Sequence, residues 1–270
     1  MKPETTGVLR VGVVPFLNTR PLVRYIDTTQ PPPLNLVPEV PSRLAEMMQQ
    51  SLLDVAVLPS IEYLRGTNYR IIPDISISAD GTVQSVCIFS KKPIEEIRSL
   101  ALDKSSRTSA ALARILLKRR LGSLPQLTTC SPDTHMSDLD ADAMLLIGDA
   151  AMTISPEEPA FVLDLGEEWK KLTGLPFVYA MWVKRNDVEG NKLHEKLLQA
   201  RDEGLTRLRE IAVEASEDLG LSVEVCHGYL RDIMRYELGE RELESLRLFQ
   251  SLAAEDGLCP GGVEIAVDRR

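Results

Sequence analysis

The chain has 270 residues, 44% of them hydrophobic, and its 40 acidic against 31 basic side chains give a formal net charge of −9. That is length for two lobes and apolar content for a full core. The acidic balance speaks against a general nucleic-acid or anionic-membrane binder, which needs a basic face, and no run of about 18 apolar residues could cross a bilayer.

In chain order, the opening MKPETTGVLR lacks the apolar stretch of a secretory signal, so the expected location is the cytoplasm. Leu9, Val11, Val13 and Val14 form a β-branched run of strand type, and Pro15 stops it. Asn18-Thr19-Arg20 makes a polar tip, and Pro21 opens an expected helix to Ile26. Open α/β sheets bind ligands where a strand's carboxyl end meets a polar loop and a helix start. Asn18 and Thr19 are therefore the first site candidates; an ordinary βα turn with an Asn at its cap is the alternative.

A stiff Thr28–Pro33 connector and a short strand, Leu34–Val37, come next. A helix over about Arg43–Leu53 places Leu44, Met47, Met48 and Leu52 on one face. Asp54–Leu58 reads as a doubly covered parallel strand, ending in a second polar tip at Pro59-Ser60 and a short helix, Ile61–Leu64. Tyr69–Pro73 and Ile75–Ser78 are extended, and Asp80-Gly81 is a turn. Val83–Ser90 is expected as a strand, Pro93–Ile97 as a short helix and Leu100–Asp103 as a strand.

The helix expected at Ser109–Leu121 ends in Lys118, Arg119 and Arg120 before Gly122. Its start carries Ser105, Ser106, Thr108 and Ser109 around Arg107. Capping needs one hydroxyl, whereas unpaired first-turn N–H groups with several hydroxyls suit an anion. Both readings stay open from the residues alone. Beyond it lie strands at Ala143–Ile147 and Phe161–Leu165, a turn or short helix at Gly148–Ala151, a helix at Gly166–Leu172 and a strand at Phe177–Lys184. Helices are expected at Asn191–Ser216, Ser222–Arg235 and Glu240–Glu255. The long strands Val83–Ser90 and Phe177–Lys184 bracket a middle region with its own alternation, which predicts two α/β lobes joined by two hinge strands, with a ligand cleft between them. Cys87, Cys130, Cys226 and Cys259 lack metal or redox spacing and read as reduced thiols.

The stretches VGVVPFLNTRPL, DVAVLPSIEYL, VQSV, LDKSSRTS, LLIGDAA and DLGEEWKKLTGLPFVYAMW, in that order, resemble the chorismate dehydratases of the futalosine route to menaquinone, within the MqnA/MqnD family. The resemblance runs from about Leu9 to Lys184. It implies an α/β, two-lobed fold like the type II periplasmic binding proteins, with two hinge crossover strands, in a cytoplasmic enzyme. Lobe I would comprise residues 1–86 and 183–270, and lobe II residues 87–182. The implied reaction removes water from chorismate to give 3-[(1-carboxyvinyl)oxy]benzoate, without a metal or organic cofactor. Asn18 and Ser85 correspond to residues linked to the catalytic step, and Ser106, Thr108 and Ser109 to the substrate-binding stretch. Arg107 in that stretch, with Thr19, Ser60 and Asp149 at the strand tips, completes the substrate-binding candidates. No role carries over to Arg20.

The chemistry can be set against these residues. Chorismate is a dianion one dehydration short of aromatic, so an enzyme must orient it, hold two carboxylates and move one proton. Asn18 and Ser85 are poor bases. His135, His194 and His227 lie outside every motif. Glu62 and Asp149 are the nearest acids, with a solvated helix residue and an N-cap as their alternatives. Substrate-assisted proton removal by the enolpyruvyl carboxylate is therefore expected. Two other readings stand beside it. One is the related enzyme acting on cyclic dehypoxanthine futalosine, which uses a cleft His. The other is a non-catalytic small-anion binder, since fold does not fix function. No nucleic-acid or membrane partner is expected, and the sequence sets no oligomeric state.

Overall fold

A computed structural model describes residues 7–66, 68–155, 159–189 and 191–268. Strand β1 (Leu9–Val13) is covered on both faces, and Gly12 lets neighbouring side chains close onto it. A Cβ there would lie 2.7 Å from both Leu44 Cδ2 and Leu53 Cδ1. After Pro15 comes one tight turn, Leu17–Thr19, and a four-residue helix α1 (Arg20–Val23), shorter than expected. Strand β2 (Leu34–Pro38), helix α2 (Pro41–Gln49), β3 (Val55–Pro59), α3 (Ser60–Arg65) and β4 (Tyr69–Ala79) follow. The two extended segments expected at 69–78 form the single strand β4, with Asp74 in left-handed backbone at φ 69°.

The chain then enters a second sheet with β5 (Val86–Ser90), β6 (Ser99–Asp103), α4 (Thr108–Leu121), β7 (Gln126–Cys130), β8 (Ala143–Ile147), α5 (Gly148–Thr153) and β9 (Phe161–Asp164). It returns through α6 (Leu165–Thr173) to β10 (Phe177–Arg185), α7 (Asn191–Thr206), α8 (Leu208–Leu219), α9 (Val223–Gly228), β11 (Met234–Arg235) and α10 (Glu240–Glu255). The first sheet runs β11-β4-β10-β3-β1-β2 and the second β7-β6-β8-β5-β9. In each, a parallel core (β3-β1-β2; β7-β6-β8) is flanked by antiparallel strands. Two sheets thus form two lobes.

The expected pair of hinge strands needs correction. β5 pairs wholly within the second sheet and β10 wholly within the first. The crossings are instead the turn between Ala79 and Val86 and helix α6. Val83 and Gln84 cannot join a ladder, because their N–H groups donate to Asp164 and Gln84 sits at φ 61°. By sheet membership the chain changes over at Val86 and again before Phe177. The boundary expected at 182/183 falls inside β10.

The helix expected at Asn191–Ser216 breaks at Arg207, where the backbone leaves helical angles (φ −119°, ψ 25°). Within α7, Gly204 lies hard against α1: a Cβ there would stand 2.0 Å from the Pro21 carbonyl oxygen. The helix expected at Ser222–Arg235 is α9 followed by a wide π-type turn, Tyr229–Ile233, and the short strand β11. Trp169, Phe177 and Phe249 meet edge to face at 5.0–6.1 Å, and this cluster docks α10 onto the returning crossing. No helix among the described residues is long and apolar enough to cross a membrane.

Candidate active site

A cleft opens where the turn after β1, the first crossing and the start of α4 converge. Its walls are mostly apolar: Val14, Phe16, Val57, Ile77, Val83 and Ile147 among them. Its polar groups are Asn18, Thr19, Ser85, Ser106, Arg107, Thr108, Ser109 and Tyr179. No carboxylate, imidazole, amine or thiol side chain lies among the described residues that line it.

The turn carrying Asn18 is held from the opposite lobe. Leu17 N–H donates to Asp149 Oδ1 at 3.0 Å. Phe16 packs over Gly148, where a Cβ would come within 2.8 Å of the ring and φ is +59°. This explains why the IGD sequence closing β8 needs its glycine. Asp149 supports the turn from behind and does not line the cleft. Burial raises its carboxyl above the usual range, against the Leu17 N–H and the charge of Arg20. Thr19 Oγ1 donates to Asn18 Oδ1 at 3.2 Å.

Ser85 is fully buried in the first crossing. Its N–H donates to Val83 O at 2.7 Å, and its carbonyl accepts Gly148 N–H at 2.8 Å. Asp164 clasps both crossings at this point. Its carboxylate accepts Val83 N–H (3.0 Å) and Gln84 N–H (2.8 Å) from one, and Glu167 N–H (3.0 Å) at the start of α6 from the other. The Tyr229 hydroxyl donates to Ser85 Oγ at 2.7 Å. Burial pushes this phenol far above its ordinary range, with Ser85 and Asn18 pulling the other way.

The third wall is the start of α4. Ser106, Thr108 and Ser109 are all buried, and Arg107 at the N-cap makes no side-chain cap. Thr108 Oγ1 accepts Ile61 N–H at 3.3 Å, which leaves its own proton to give. Ser105 instead turns to Asp103, donating to its Oδ1 from N–H (2.7 Å) and Oγ (2.6 Å). Ser106 Oγ, Arg107 Nε and Tyr179 Oη are buried without a hydrogen-bond partner among the described residues. Unpaired donors at a helix start are what a carboxylate can satisfy.

Of the residues singled out from sequence, Asn18, Thr19, Ser85, Ser106, Arg107, Thr108 and Ser109 come together on this cleft. Ser60 does not reach it: its hydroxyl donates to Val178 O at 2.6 Å and ties α3 to β10. Tyr229 and Asp164 were missed as site residues. Asp164 does carry a local signal, since an Asp three residues before Glu167 is an N-cap pattern. Tyr229, 144 positions from Ser85, carries none. Among the described residues, no group of three or more His, Cys, Asp or Glu side chains is arranged to hold a metal.

Comparison with known proteins supplies the remaining observations. The family described as menaquinone biosynthesis matches residues 9–255. A chorismate dehydratase of Thermus thermophilus is 30% identical, with 92% of this chain and 94% of that one covered. A chorismate dehydratase of Campylobacter jejuni is 25% identical, with 88% and 94% covered. Among solved structures, the alkanesulfonate-binding protein SsuA of Xanthomonas axonopodis pv. citri superposes with a TM-score of 0.75 at 14% identity, covering 99% of this chain and 100% of that one. A protein of Archaeoglobus fulgidus gives 0.73 at 19% identity, covering 93% and 98%. At such identities these likenesses speak to the fold alone, which is that of the periplasmic binding proteins.

Proposed function

This chain belongs to the menaquinone biosynthesis family, and from that premise we propose that it is a hydro-lyase, a chorismate dehydratase, releasing water and 3-[(1-carboxyvinyl)oxy]benzoate. The observation that carries the mechanism is the cleft itself. It gathers hydrogen-bond donors at two ends and, among the described residues that line it, offers no side chain able to act as a base at neutral pH.

The ring carboxylate sits at the start of α4, against the Ser106, Thr108 and Ser109 hydroxyls, the first-turn N–H groups and the Arg107 guanidinium. Asn18, Thr19 and Ser85 then face the enolpyruvyl ether and the C4 hydroxyl. The C3 hydrogen is acidic because the ring carboxylate is conjugated to it through the C1–C2 double bond. The enolpyruvyl carboxylate, one atom beyond the vinyl carbon, reaches that hydrogen through a six-membered ring. It takes the proton from C3, and the C3–H electron pair becomes the new ring π bond as the C4–O bond breaks. The departing oxygen keeps its bonding pair and receives the same proton, so one water leaves and both carboxylates end ionised. Asn18 holds the enolpyruvyl carboxylate, and Ser85 donates to the departing hydroxyl as charge builds on it. The apolar walls exclude water that would compete for those donors.

A small-molecule substrate is the whole requirement of this chemistry, and the four free thiols suit a reducing, cytoplasmic setting. Among the described residues that line the cleft there is no histidine to match the related enzyme with a cleft His. The test is to incubate the purified protein with chorismate and follow product by mass and aromatic absorbance. Loss of one water, abolished in Asn18→Ala and Ser85→Ala, is the expected result. Chorismate bound and returned unchanged by the folded protein would leave a small-anion receptor in its place.

A further inference from the structure

On the dehydratase reading above, we propose that Tyr229 is a positioning residue that turns the Ser85 proton toward the departing hydroxyl. Tyr229 is 2% exposed and stands at the head of the wide turn that follows α9. Such turns present side chains that a regular helix would point elsewhere, and they recur at functional sites. Its ring does not line the cleft, so it acts through its neighbours.

Proton counting gives the direction. A phenol has one proton, and Tyr229 gives it to Ser85 Oγ at 2.7 Å. Ser85, having accepted the phenol proton, has its own hydrogen free. Its backbone N–H and carbonyl are engaged with Val83 and Gly148, so the residue cannot swing to another partner. The donors thus run one way: Tyr229 to Ser85, and Ser85 into the cleft. No proton leaves the chain during turnover. Tyr229 stays a neutral phenol and supplies orientation, so the water released still takes its proton from the substrate.

The experiment compares wild type, Tyr229→Phe, Ser85→Ala and the double variant with chorismate as substrate, with Tyr236→Phe as control. Tyr236 lies in the same segment, and its buried hydroxyl has no partner among the described residues. Tyr229→Phe should lower kcat on the order of 10- to 100-fold. KM should stay within about twofold of wild type, because the donors at α4 are untouched. The double variant should be no slower than Ser85→Ala alone, since Tyr229 acts through Ser85. Tyr236→Phe should match wild type. Wild-type kcat in Tyr229→Phe, or additive losses in the double variant, overturns the inference. If Tyr229→Phe does not fold, 3-fluorotyrosine at 229 keeps the ring and hydroxyl but makes the phenol more acidic. It should change kcat at constant KM, and an unchanged kcat overturns the proposal. An inactive, folded wild type overturns the dehydratase reading itself and this inference with it, a result separable from an active wild type with an indifferent Tyr229.

Discussion

Replacing Asp164 with alanine should loosen both crossings at once. Three backbone N–H groups converge on its carboxylate, from Val83, Gln84 and Glu167. Val83 is fully buried, so its N–H would be left without a partner, at about 1–3 kcal/mol. Glu167 N–H loses the N-cap of α6, worth roughly 1 kcal/mol. Gln84 is exposed and its N–H can turn to water at little loss. The expected destabilisation is therefore roughly 2–4 kcal/mol, read as the change in unfolding free energy in urea. Activity should fall further than stability suggests, because Gln84 at φ 61° would relax and carry Ser85 with it. A misplacement of that kind reduces kcat on the order of tenfold to a hundredfold. Asp164→Asn keeps one acceptor oxygen and should lose about half as much stability. An alanine variant with wild-type urea midpoint and wild-type kcat would refute the clasp.

Two further predictions concern the other wall. Ser106→Ala and Ser109→Ala should each raise KM about tenfold or more with little change in kcat, since a hydrogen bond to a carboxylate is worth roughly 1.5–3 kcal/mol in ground and transition states alike; steady-state kinetics decide it. Asp103, 2% exposed, holds Ser105 and has one carboxylate oxygen without a partner among the described residues, and burial raises its pKa. With the folded pKa above the unfolded one, the folded state takes up the proton first, so the penalty of ionised Asp103 is present at neutral pH and vanishes as pH falls through the folded pKa. The stability of wild type relative to Asp103→Asn should therefore rise as pH falls from neutral toward the ordinary Asp pKa of about 3.9. A flat difference in urea midpoint would contradict it.

Much of the fold is legible because its core strands are continuous apolar runs. Asp54–Leu58 and Ala143–Ile147 announce β3 and β8, and the hydroxyl-rich start of α4 marks a candidate anion site that the cleft then shares. The illegible parts have identifiable causes. β7 is an edge strand whose QLTTC is half exposed, so hydrophobicity does not mark it. Val83 and Gln84 look like strand residues, yet Asp164, some 80 positions on, takes their N–H groups. Ser60 sits at a strand tip like Asn18, but a buried carbonyl claims its hydroxyl. Tyr229 belongs to a segment with plain helical patterning, and its place beside Ser85 follows from tertiary packing alone. Asn18 and Ser85 were nameable through family resemblance; no local rule singles out a serine in VQSV.

The most direct measurement presents the enzyme with chorismate whose enolpyruvyl carboxylate has been converted to the neutral primary amide. The base is then missing while the ring carboxylate, the C3 hydrogen and the C4 hydroxyl remain. Binding that competes with chorismate, with no aromatic product formed, is the predicted result. Dehydration of the amide at a rate near that of chorismate would mean that a side chain of the protein takes the proton, and would contradict the mechanism drawn from this cleft.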